Sequence, residues 1–476
     1  MTILAIDQGT SATKALIVDD SGTTLATAVV PVHPRAIDGG VVQDPRELFD
    51  SVVEAGRRAL DEAGVPVRGV ALANQGETVL AWDRQSGEPS GPAISWQDSR
   101  AVEVCREIDP VVAERLTQLS GLPLDPYFSA PKMAWLARRS PADLAVTTTD
   151  TWLLHQLCGA FVSDVTTASR SMLLDLDGRA WSPDACDAFG LDHSGLPEVV
   201  SCAEIVGSTR AFGKTLQIAG LAVDQQAALI GERCLRAGEA KCTFGTGAFV
   251  LMTCGSTPIR STSGLSGSVG WETRDEVAYC LDGQSYTAGA AIGWLVSMGL
   301  LSDPESLDAR AESVVDAGGV VVVPALAGLG APWWDPSARG SIEGLGLDTE
   351  PGHLVRAVVE GLAAQVAMVA ASASSDLGIE PGMLRIDGGL ARSQVLGQCQ
   401  ADLLQAPVEV FGSPDATALG VASLARLGLD PAGTLPSEPL APVAVYEPRI
   451  TADEASARLE RFKAAAGRAI AARSST

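Results

Sequence analysis

The sequence predicts an α/β protein whose two domains enclose a central cleft. Three observations support this fold class. First, a chain of 476 residues exceeds the size of one ordinary hydrophobic core, so two domains are expected. Second, a strand-like run ends in a Gly-Thr turn in each half of the chain, at Gly9-Thr10 and at Gly245-Thr246. Third, predicted strands alternate with predicted helices after both turns, as in mixed sheets with crossover helices.

The first half begins with three predicted strands that form an antiparallel meander. These runs are rich in apolar and β-branched side chains, and turn residues separate them. A helix then starts at Asp44, the candidate N-cap, with Pro45 at its first position and apolar residues at helical spacing after it. The predicted strands of this half are residues 2–6, 15–18, 24–30 and 68–73.

The second half repeats this order of elements, with a meander first and alternating helices and strands after it. We therefore predict an internally duplicated fold with one domain at residues 1–222 and a second at 223–440. A C-terminal extension at 441–476 contains an amphipathic helix. The predicted strands are residues 241–244, 249–253, 277–281, 320–324 and 408–411, and the predicted helices are residues 288–298, 353–376, 392–404, 416–427 and 451–472.

The net charge of −24 argues against two classes of partner. Nucleic acids and anionic membranes attract surfaces with excess Lys and Arg, but this chain has 34 such residues against 58 Asp and Glu. A phosphorylated ligand of so acidic a protein has to be neutralised locally, by backbone amides, a few cations and Mg²⁺. We expect a small-molecule ligand, no nucleic acid and no membrane.

The cysteines indicate a reducing compartment. There are 9 of them, an odd number, scattered without a Cys-x-x-Cys pair and accompanied by only 4 histidines. This pattern predicts neither a disulfide framework nor a zinc site. The N-terminal residues enter a strand at once and lack the basic region and cleavage site of a secretory signal. We therefore expect a cytoplasmic protein.

The two Gly-Thr turns are candidate phosphate-binding loops. Glycine lets the backbone approach an anion closely, and amides and hydroxyls of the turn then surround it. A single turn of this kind is more often an ordinary hairpin, and Asp7 beside the first turn has the alternative of bonding its own backbone. The pairing of two turns, one per half, favours a nucleotide whose phosphates are held from both sides of a cleft.

Six motifs occur in order along the chain, at residues 7–11, 127–136, 224–228, 328–336, 340–360 and 387–389. Through these motifs the chain resembles the FGGY carbohydrate kinases over nearly its whole length, and most closely their glycerol kinase branch. The resemblance implies two actin-like domains, each built on a ribonuclease-H-like sheet, that close over ATP, Mg²⁺ and a polyol or sugar. It also implies transfer of the γ-phosphoryl group to a primary hydroxyl of that acceptor.

The resemblance further implies which positions bind the nucleotide and the metal. Mg²⁺ is assigned to Asp7 and Asp224, because hard cations prefer carboxylate oxygen. Lys14 takes the place of a family arginine, so it keeps the charge but loses the forked geometry. The alternative is that Lys14 is a solvated strand residue. The implied nucleotide-binding positions are Thr10, Ser11, Ala12, Thr13, Lys14, Gly245, Thr246, Gly289, Gly293, Gly389 and Ser393.

Asp224 is the candidate general base. In phosphoryl transfer, positioning and charge stabilisation carry most of the catalysis, and a carboxylate takes the proton of the acceptor hydroxyl. The alternative is that Asp224 caps the helix that follows it, and the two roles are compatible. Val223 precedes it where the family usually has glycine.

The acceptor positions implied by the resemblance combine polar partners with an apolar wall, as a small polyol requires. One position departs from the family, because Gly76 stands where glycerol kinases carry an arginine. The loss of this donor predicts room for one or two extra CH–OH units, hence a tetritol or a related sugar alcohol, or weakly bound glycerol. It also predicts that Gly76→Arg shifts preference toward glycerol. The acceptor positions are Gly76, Glu77, Trp96, Tyr127, Asp224, Gln225 and Phe249.

Two other functions remain open at this point. A ketopentose kinase of the same family would phosphorylate xylulose or ribulose instead of a polyol. A non-catalytic, actin-like nucleotide-binding protein would bind ATP without an acceptor. The resemblance also leaves open a homodimer or a homotetramer.

Overall fold

The computed structural model describes residues 1–37, 39–438 and 440–471. Its two main sheets lie one in each half of the chain. The elements of the first half are β1 (Ile3–Gln8), β2 (Ala12–Val18), β3 (Thr24–Pro31), β4 (Arg35–Ile37), β5 (Gly40–Gln43), α1 (Pro45–Ala63), β6 (Gly69–Asn74), β7 (Val79–Trp82), β8 (Ala93–Ile94), α2 (Val102–Glu107), α3 (Pro110–Ser120), α4 (Ser129–Ala137), β9 (Ala145–Thr148), α5 (Thr149–Cys158), β10 (Val162–Asp164), α6 (Val165–Ser169), β11 (Leu174–Asp175), β12 (Ala180–Trp181), α7 (Pro183–Phe189), β13 (Glu198–Val200), β14 (Gly207–Thr209) and β15 (Leu216–Val223).

The second half continues the alternation of strands and helices. Its elements are α8 (Asp224–Gly231), β16 (Ala240–Phe244), β17 (Ala248–Gly255), β18 (Ser266–Glu272), β19 (Val277–Ser285), α9 (Gly289–Ser297), α10 (Leu307–Ala311), β20 (Val321–Val323), β21 (Ser341–Glu343), α11 (Pro351–Leu377), β22 (Leu384–Asp387), α12 (Gln394–Leu404), β23 (Val408–Val410), α13 (Ala416–Leu429), β24 (Ala444–Tyr446) and α14 (Ala452–Ala471).

The two main sheets share one topology. In the first, whose order is β14-β15-β6-β1-β2-β3, the hairpin-linked strands β1, β2 and β3 are antiparallel, and β6 and β15 add in parallel beside β1. In the second, whose order is β18-β19-β17-β16-β22-β23-β24, strands β16, β17 and β19 form the meander, and β22 and β23 add in parallel. The predicted duplication and the α/β fold class are therefore confirmed.

The helix α1 shows how local sequence signals place an element. Asp44 accepts a hydrogen bond from the backbone N–H of Arg46 at 2.9 Å, and Pro45 occupies the first turn, as predicted. The helix ends at Gly64, whose φ of 61° lies in the left-handed region that glycine adopts without strain. Its apolar stripe, which includes Val52, is buried against one face of the first sheet.

The opposite face of the first sheet is covered by a helix from much later in the chain. Residues Ala418 and Val421 of α13 share a buried apolar cluster with Ile3 on β1 and Ala71 on β6. The short helix α8, which follows β15 directly, packs beside α13. The first sheet is thus buried on both faces only when α13 is in place.

Several elements differ from the prediction. Strands β4, β5, β7, β8 and β9 form a five-stranded sheet that was not predicted, and β18 adds an unpredicted edge strand to the second sheet. The strand predicted at residues 320–324 exists as β20, but it pairs with β21 outside the main sheets. The last residue of the helix predicted at 451–472, like residues 472–476 of the predicted extension, lies outside the described residues. The domain boundaries stay a prediction.

Within the described residues, α11 alone is long and apolar enough to cross a membrane by length and composition. Of its most apolar window, 72% is buried inside the fold, as expected of a core helix. All nine cysteines, each within the described ranges, are free. Cytoplasmic localisation and homo-oligomerisation stay predictions.

Candidate active site

A cavity of about 240 Å³ lies between the two main sheets and is lined from both halves of the chain. Every position predicted for the acceptor lines it, and so do residues of both Gly-Thr turns. The structure therefore brings most of the predicted site together. The predicted positions that line the cavity are Thr10, Ser11, Gly76, Glu77, Trp96, Tyr127, Asp224, Gln225, Gly245, Thr246 and Phe249.

The first Gly-Thr turn joins β1 to β2. The backbone N–H of Gly9 donates to the carbonyl of Ala12 at 3.0 Å, which closes the turn. The hydroxyl of Thr10 accepts from the indole N–H of Trp96 at 2.8 Å, while Ser11 is exposed. This contact joins the predicted phosphate turn to the predicted acceptor wall.

Thr13 does not face this cleft. Its hydroxyl is fully buried and lies 2.6 Å from the hydroxyl of Ser51 on α1. Because side chains alternate along a strand, Thr13 faces α1 whereas Lys14 faces the other way. The Thr13 side chain therefore lies away from the cleft, and nucleotide binding at this position stays a prediction.

Lys14 bridges the two halves of the chain. Its ammonium group lies 2.9 Å from Oδ1 of Asp415, just before α13, and donates to the carbonyl of Pro414 at 3.3 Å. The charge is paired but the side chain is partly exposed, so the alternative of a solvated strand residue holds only in part. Lys14 sits beside the predicted phosphate turn, and its partner is 401 residues away in sequence.

The second Gly-Thr turn, between β16 and β17, is bound to the start of α9. The N–H of Gly289 donates to the carbonyl of Gly245 at 2.9 Å, and the N–H of Ala288 donates to the carbonyl of Thr246 at 2.7 Å. A Cβ atom at Gly289 would lie 2.8 Å from that Gly245 oxygen. The close approach of helix and turn therefore requires glycine at position 289.

The remaining predicted nucleotide positions lie outside the lining of this cavity. Gly293 is exposed on α9, and Gly389 is exposed after β22; a Cβ atom at either would meet nothing within 4 Å. Ser393 is engaged structurally, because its hydroxyl contacts Asp308 and accepts from the N–H of Leu396 at 3.1 Å to cap α12. Nucleotide binding at these positions stays a prediction.

Asp224 is the first residue of α8, and its carboxyl group lines the cavity. Its Oδ1 accepts from the N–H of Gln225 at 2.7 Å. The N-cap position of α8 belongs to Val223 and no side chain caps the helix, so the alternative that Asp224 is the cap is corrected. Burial and the negative charge of Glu77 raise the pKa of Asp224 to about 6, against the opposing charge of Lys241. The buried ammonium of Lys241 also donates to Oε1 of Gln225 at 2.6 Å, which fixes that side chain.

Asp7 stands at the centre of an acidic cluster. Burial and the charge of Asp224 raise the pKa of Asp7 to about 7, and Asp415 and Asp387 add to the effect. Oδ1 of Asp387 is buried without a hydrogen-bond partner. Carboxylate oxygens such as those of Asp7 and Asp224 are ligands that a hard divalent cation prefers. Among the described residues, no three side chains converge to form a metal site alone, so phosphate and water oxygens would complete the coordination.

An aromatic wall closes one side of the cavity. The rings of Trp96 and Tyr127 lie 5.9 Å apart at 74°, and those of Trp96 and Phe249 lie 5.9 Å apart at 78°. These edge-to-face contacts fix all three rings and join the two halves of the protein. The wall offers apolar surface to the carbon skeleton of a small ligand.

A buried arginine network, which the sequence reasoning missed, forms another side of the cavity. Nε of Arg170 donates to Oε1 of Glu77 at 2.6 Å, and Nη1 donates to Oδ1 of Asp282 at 2.5 Å. Glu77 adopts a φ of 56°, which is uncommon for a residue other than glycine and typical of functional sites. The sequence signal that could have indicated this network was Asp282, a charged residue that continues an apolar strand run where no turn intervenes.

Gly76 does not open extra room in the cavity. A Cβ atom at Gly76 would lie 2.8 Å from Cγ2 of Val223, so the valine side chain already occupies the adjoining space. The predicted enlargement of the pocket is therefore corrected. A single Gly76→Arg substitution would also collide with this side chain.

Duplicated sheets that face each other across a cleft, with a phosphate-type turn on each side, define the class of actin-like phosphotransferases. Within this class the chain belongs to the FGGY family of carbohydrate kinases. It matches the N-terminal domain of that family over residues 2–231 and the C-terminal domain over residues 240–429. The resemblance first seen in the motifs is thereby confirmed, as is the enzyme class, a phosphotransferase with an alcohol acceptor.

Individual relatives agree with this assignment. The chain is 40% identical over 487 aligned residues to a glycerol kinase of Alkalilimnicola ehrlichii, and the match covers 98% of both chains. The crystal structure of Plasmodium falciparum glycerol kinase with ADP superposes with a TM-score of 0.90 at 30% identity, covering 98% of both chains. A xylulose kinase of Rhodospirillum rubrum, with a TM-score of 0.86, 23% identity and 98% coverage of both chains, is similar in fold alone.

Proposed function

We propose that the protein is an ATP- and Mg²⁺-dependent kinase that phosphorylates a primary hydroxyl of glycerol or of a glycerol-like sugar alcohol. The observation that carries this proposal is the position of Asp224, which lines a cavity between the two Gly-Thr turns. The similarity to enzymes named glycerol kinase supports the acceptor class.

The acceptor binds between the arginine network and the aromatic wall. Glu77 and Asp282 accept hydrogen bonds from its hydroxyls, and the guanidinium of Arg170 holds both carboxylates in place. The carbon face of the acceptor lies against Trp96 and Phe249. This arrangement suits a compact molecule in which hydroxyls and apolar hydrogens lie on opposite sides.

Asp224 takes the proton of the hydroxyl that attacks the γ-phosphorus. A carboxyl group whose pKa is raised to about 6 is a stronger base than an ordinary aspartate and is still ionised at neutral pH. Asp7 and Asp224 would hold Mg²⁺, which when bound neutralises charge on the phosphate oxygens. The walls of the cavity exclude water from the reacting hydroxyl, which limits idle hydrolysis of ATP.

The two turns hold the phosphates from both sides. Thr10 and Ser11 supply hydroxyls and amides from the first half, and Gly245 and Thr246 supply them from the second. Lys14 neutralises phosphate charge from the edge of the first turn. Because the phosphates contact both halves, ATP binding favours the closed arrangement of the two sheets.

A kinetic panel tests this function directly. We expect ADP formation to be stimulated by polyols, with the highest kcat/KM for glycerol, because Val223 fills the space that a longer acceptor would need. The panel contains glycerol, dihydroxyacetone, erythritol, threitol, xylitol, xylulose and ribulose, and ADP release is measured in a coupled assay. Highest kcat/KM for xylulose or ribulose would establish a ketopentose kinase instead. No stimulation by any acceptor would indicate a non-catalytic nucleotide-binding protein.

Lys14→Met is expected to raise the KM for ATP about tenfold, because a charged hydrogen bond to phosphate contributes roughly 1.5–3 kcal/mol and this side chain is partly solvated. The KM for the acceptor should change little. Lys14→Arg keeps the charge and should retain most of the affinity. Lys463→Met, which removes an exposed lysine of α14, serves as the control. An unchanged KM for ATP in Lys14→Met would restrict Lys14 to its ion pair with Asp415.

A further inference from the structure

Gly76 and Val223 meet at one wall of the acceptor cavity. Gly76 follows β6 and Val223 ends the neighbouring parallel strand β15, where it pairs with Asn74. Both residues line the cavity, and each directly precedes an acidic residue of the site, Glu77 and Asp224 respectively. The two strand ends therefore place this wall next to the groups that bind and deprotonate the acceptor.

The contact between these residues excludes any side chain at position 76. A Cβ atom there would lie 2.8 Å from Cγ2 of Val223, and no carbon atoms pack at that distance. Val223 has only 2% of its surface exposed, and a β-branched side chain has few rotamers with which to move away. The backbone of Gly76 is not in the left-handed region, so the valine alone imposes the restriction.

We propose that Gly76 and Val223 form a coupled pair that determines acceptor specificity, by giving the cavity a wall that is apolar and donates no side-chain hydrogen bond. The proposal rests on the kinase function above and deepens it. Glu77 and Arg170 supply polar groups from other positions of the lining, so the part of the acceptor that faces Val223 receives no side-chain hydrogen bond from this wall. The acceptors selected are small alcohols that turn a carbon face toward Val223.

An apolar wall at Gly76 and Val223 has a measurable consequence. A site that hydrogen-bonds every hydroxyl rejects an analogue lacking one of them strongly, whereas an apolar wall discriminates weakly. The protein should therefore accept propane-1,2-diol or propane-1,3-diol, each of which lacks one hydroxyl of glycerol. For at least one of these diols, kcat/KM should fall within about a hundredfold of the value for glycerol.

A double-substitution cycle tests the coupling. Gly76→Arg alone should raise the KM for glycerol at least tenfold, because the new side chain collides with Val223. In the Val223→Gly background, Gly76→Arg should lower the KM for glycerol relative to Val223→Gly alone, because the guanidinium then has space and adds a hydrogen-bond donor. The double variant should prefer glycerol over the better diol at least ten times more strongly than the wild type. Additive effects of the two substitutions, or an unchanged preference, would overturn the proposal.

A melting cycle separates this inference from the kinase function, because it needs no activity. Gly76→Ala should lower Tm in the wild type and leave it unchanged in a Val223→Ala background, where Cγ2 is absent. Gly91→Ala is the control, since a Cβ atom there meets nothing within 4 Å. Equal Tm changes in both backgrounds would refute the proposal that Val223 excludes a side chain at position 76. An enzyme that no alcohol stimulates would overturn the proposed function and the acceptor class, whatever the melting cycle gives.

Discussion

Asp224→Asn is expected to lower kcat by about 10²–10⁴-fold, the usual contribution of a general base, with ATP binding retained and Tm not lowered. The amide has the size of the carboxyl group and can still accept from the N–H of Gln225, now 2.7 Å away, but it cannot take a proton. Turnover is measured at saturating acceptor and ATP, and nucleotide binding by calorimetry. The variant therefore separates the chemical role of the group from its role at the start of α8.

Asp109→Asn is the matched control for this loss. Asp109 also begins a helix, accepting from the N–H of Val111 at 2.8 Å, but it is exposed and remote from the cavity. Asparagine is an equally good cap, so kcat should be unchanged. Full turnover in Asp224→Asn would remove this residue from the mechanism. A loss of Tm in that variant would instead assign it a structural role.

Arg170→Met is expected to destabilise the protein by about 3–5 kcal/mol, since it leaves two buried carboxylates without a counter-charge. The side chains of Arg170, Glu77 and Asp282 are only 6%, 5% and 7% exposed. The measurement is a thermal unfolding midpoint, which should fall by several degrees, together with the KM for the acceptor, which should rise. The network joins the two halves, so its loss affects both the fold and the cavity.

Two further variants test whether the unpaired charges cause this loss of stability. Adding Glu77→Gln and Asp282→Asn to Arg170→Met removes the unpaired charges and should recover part of the lost Tm. Arg115→Met is the control, because Arg115 forms an exposed ion pair with Asp184 at 3.2 Å whose loss costs less than about 1 kcal/mol. If the triple variant melted lower than Arg170→Met alone, shape and not charge would explain the effect.

Local sequence signals predicted the elements that they determine. The cap at Asp44 and the proline after it marked the start of α1 correctly, and the two meanders were recognised from apolar runs between turns. The five-stranded sheet was not predicted, because its strands are two to four residues long and too short to show a periodic pattern of apolar residues. Such short strands form only because their neighbours in space offer hydrogen-bond partners.

The site was predicted where motifs are contiguous and missed where contacts are long-range. Both Gly-Thr turns and Asp224 are readable within a few residues of sequence. The partners Arg170 and Asp282 are 112 residues apart in sequence, and no local pattern predicts their contact. The contact between Gly76 and Val223 was missed for the same reason, although each position had been singled out as unusual.

The cover that α13 provides for the first sheet has a consequence for biosynthesis. When the ribosome has completed β15, the nascent chain already has the strands of the first sheet but lacks the helix that shields Ile3 and Ala71. Roughly 200 further residues must be translated first, which takes about 10–40 s at ordinary elongation rates. During that interval the uncovered strands expose apolar side chains to solvent. We therefore expect the nascent chain to bind a chaperone.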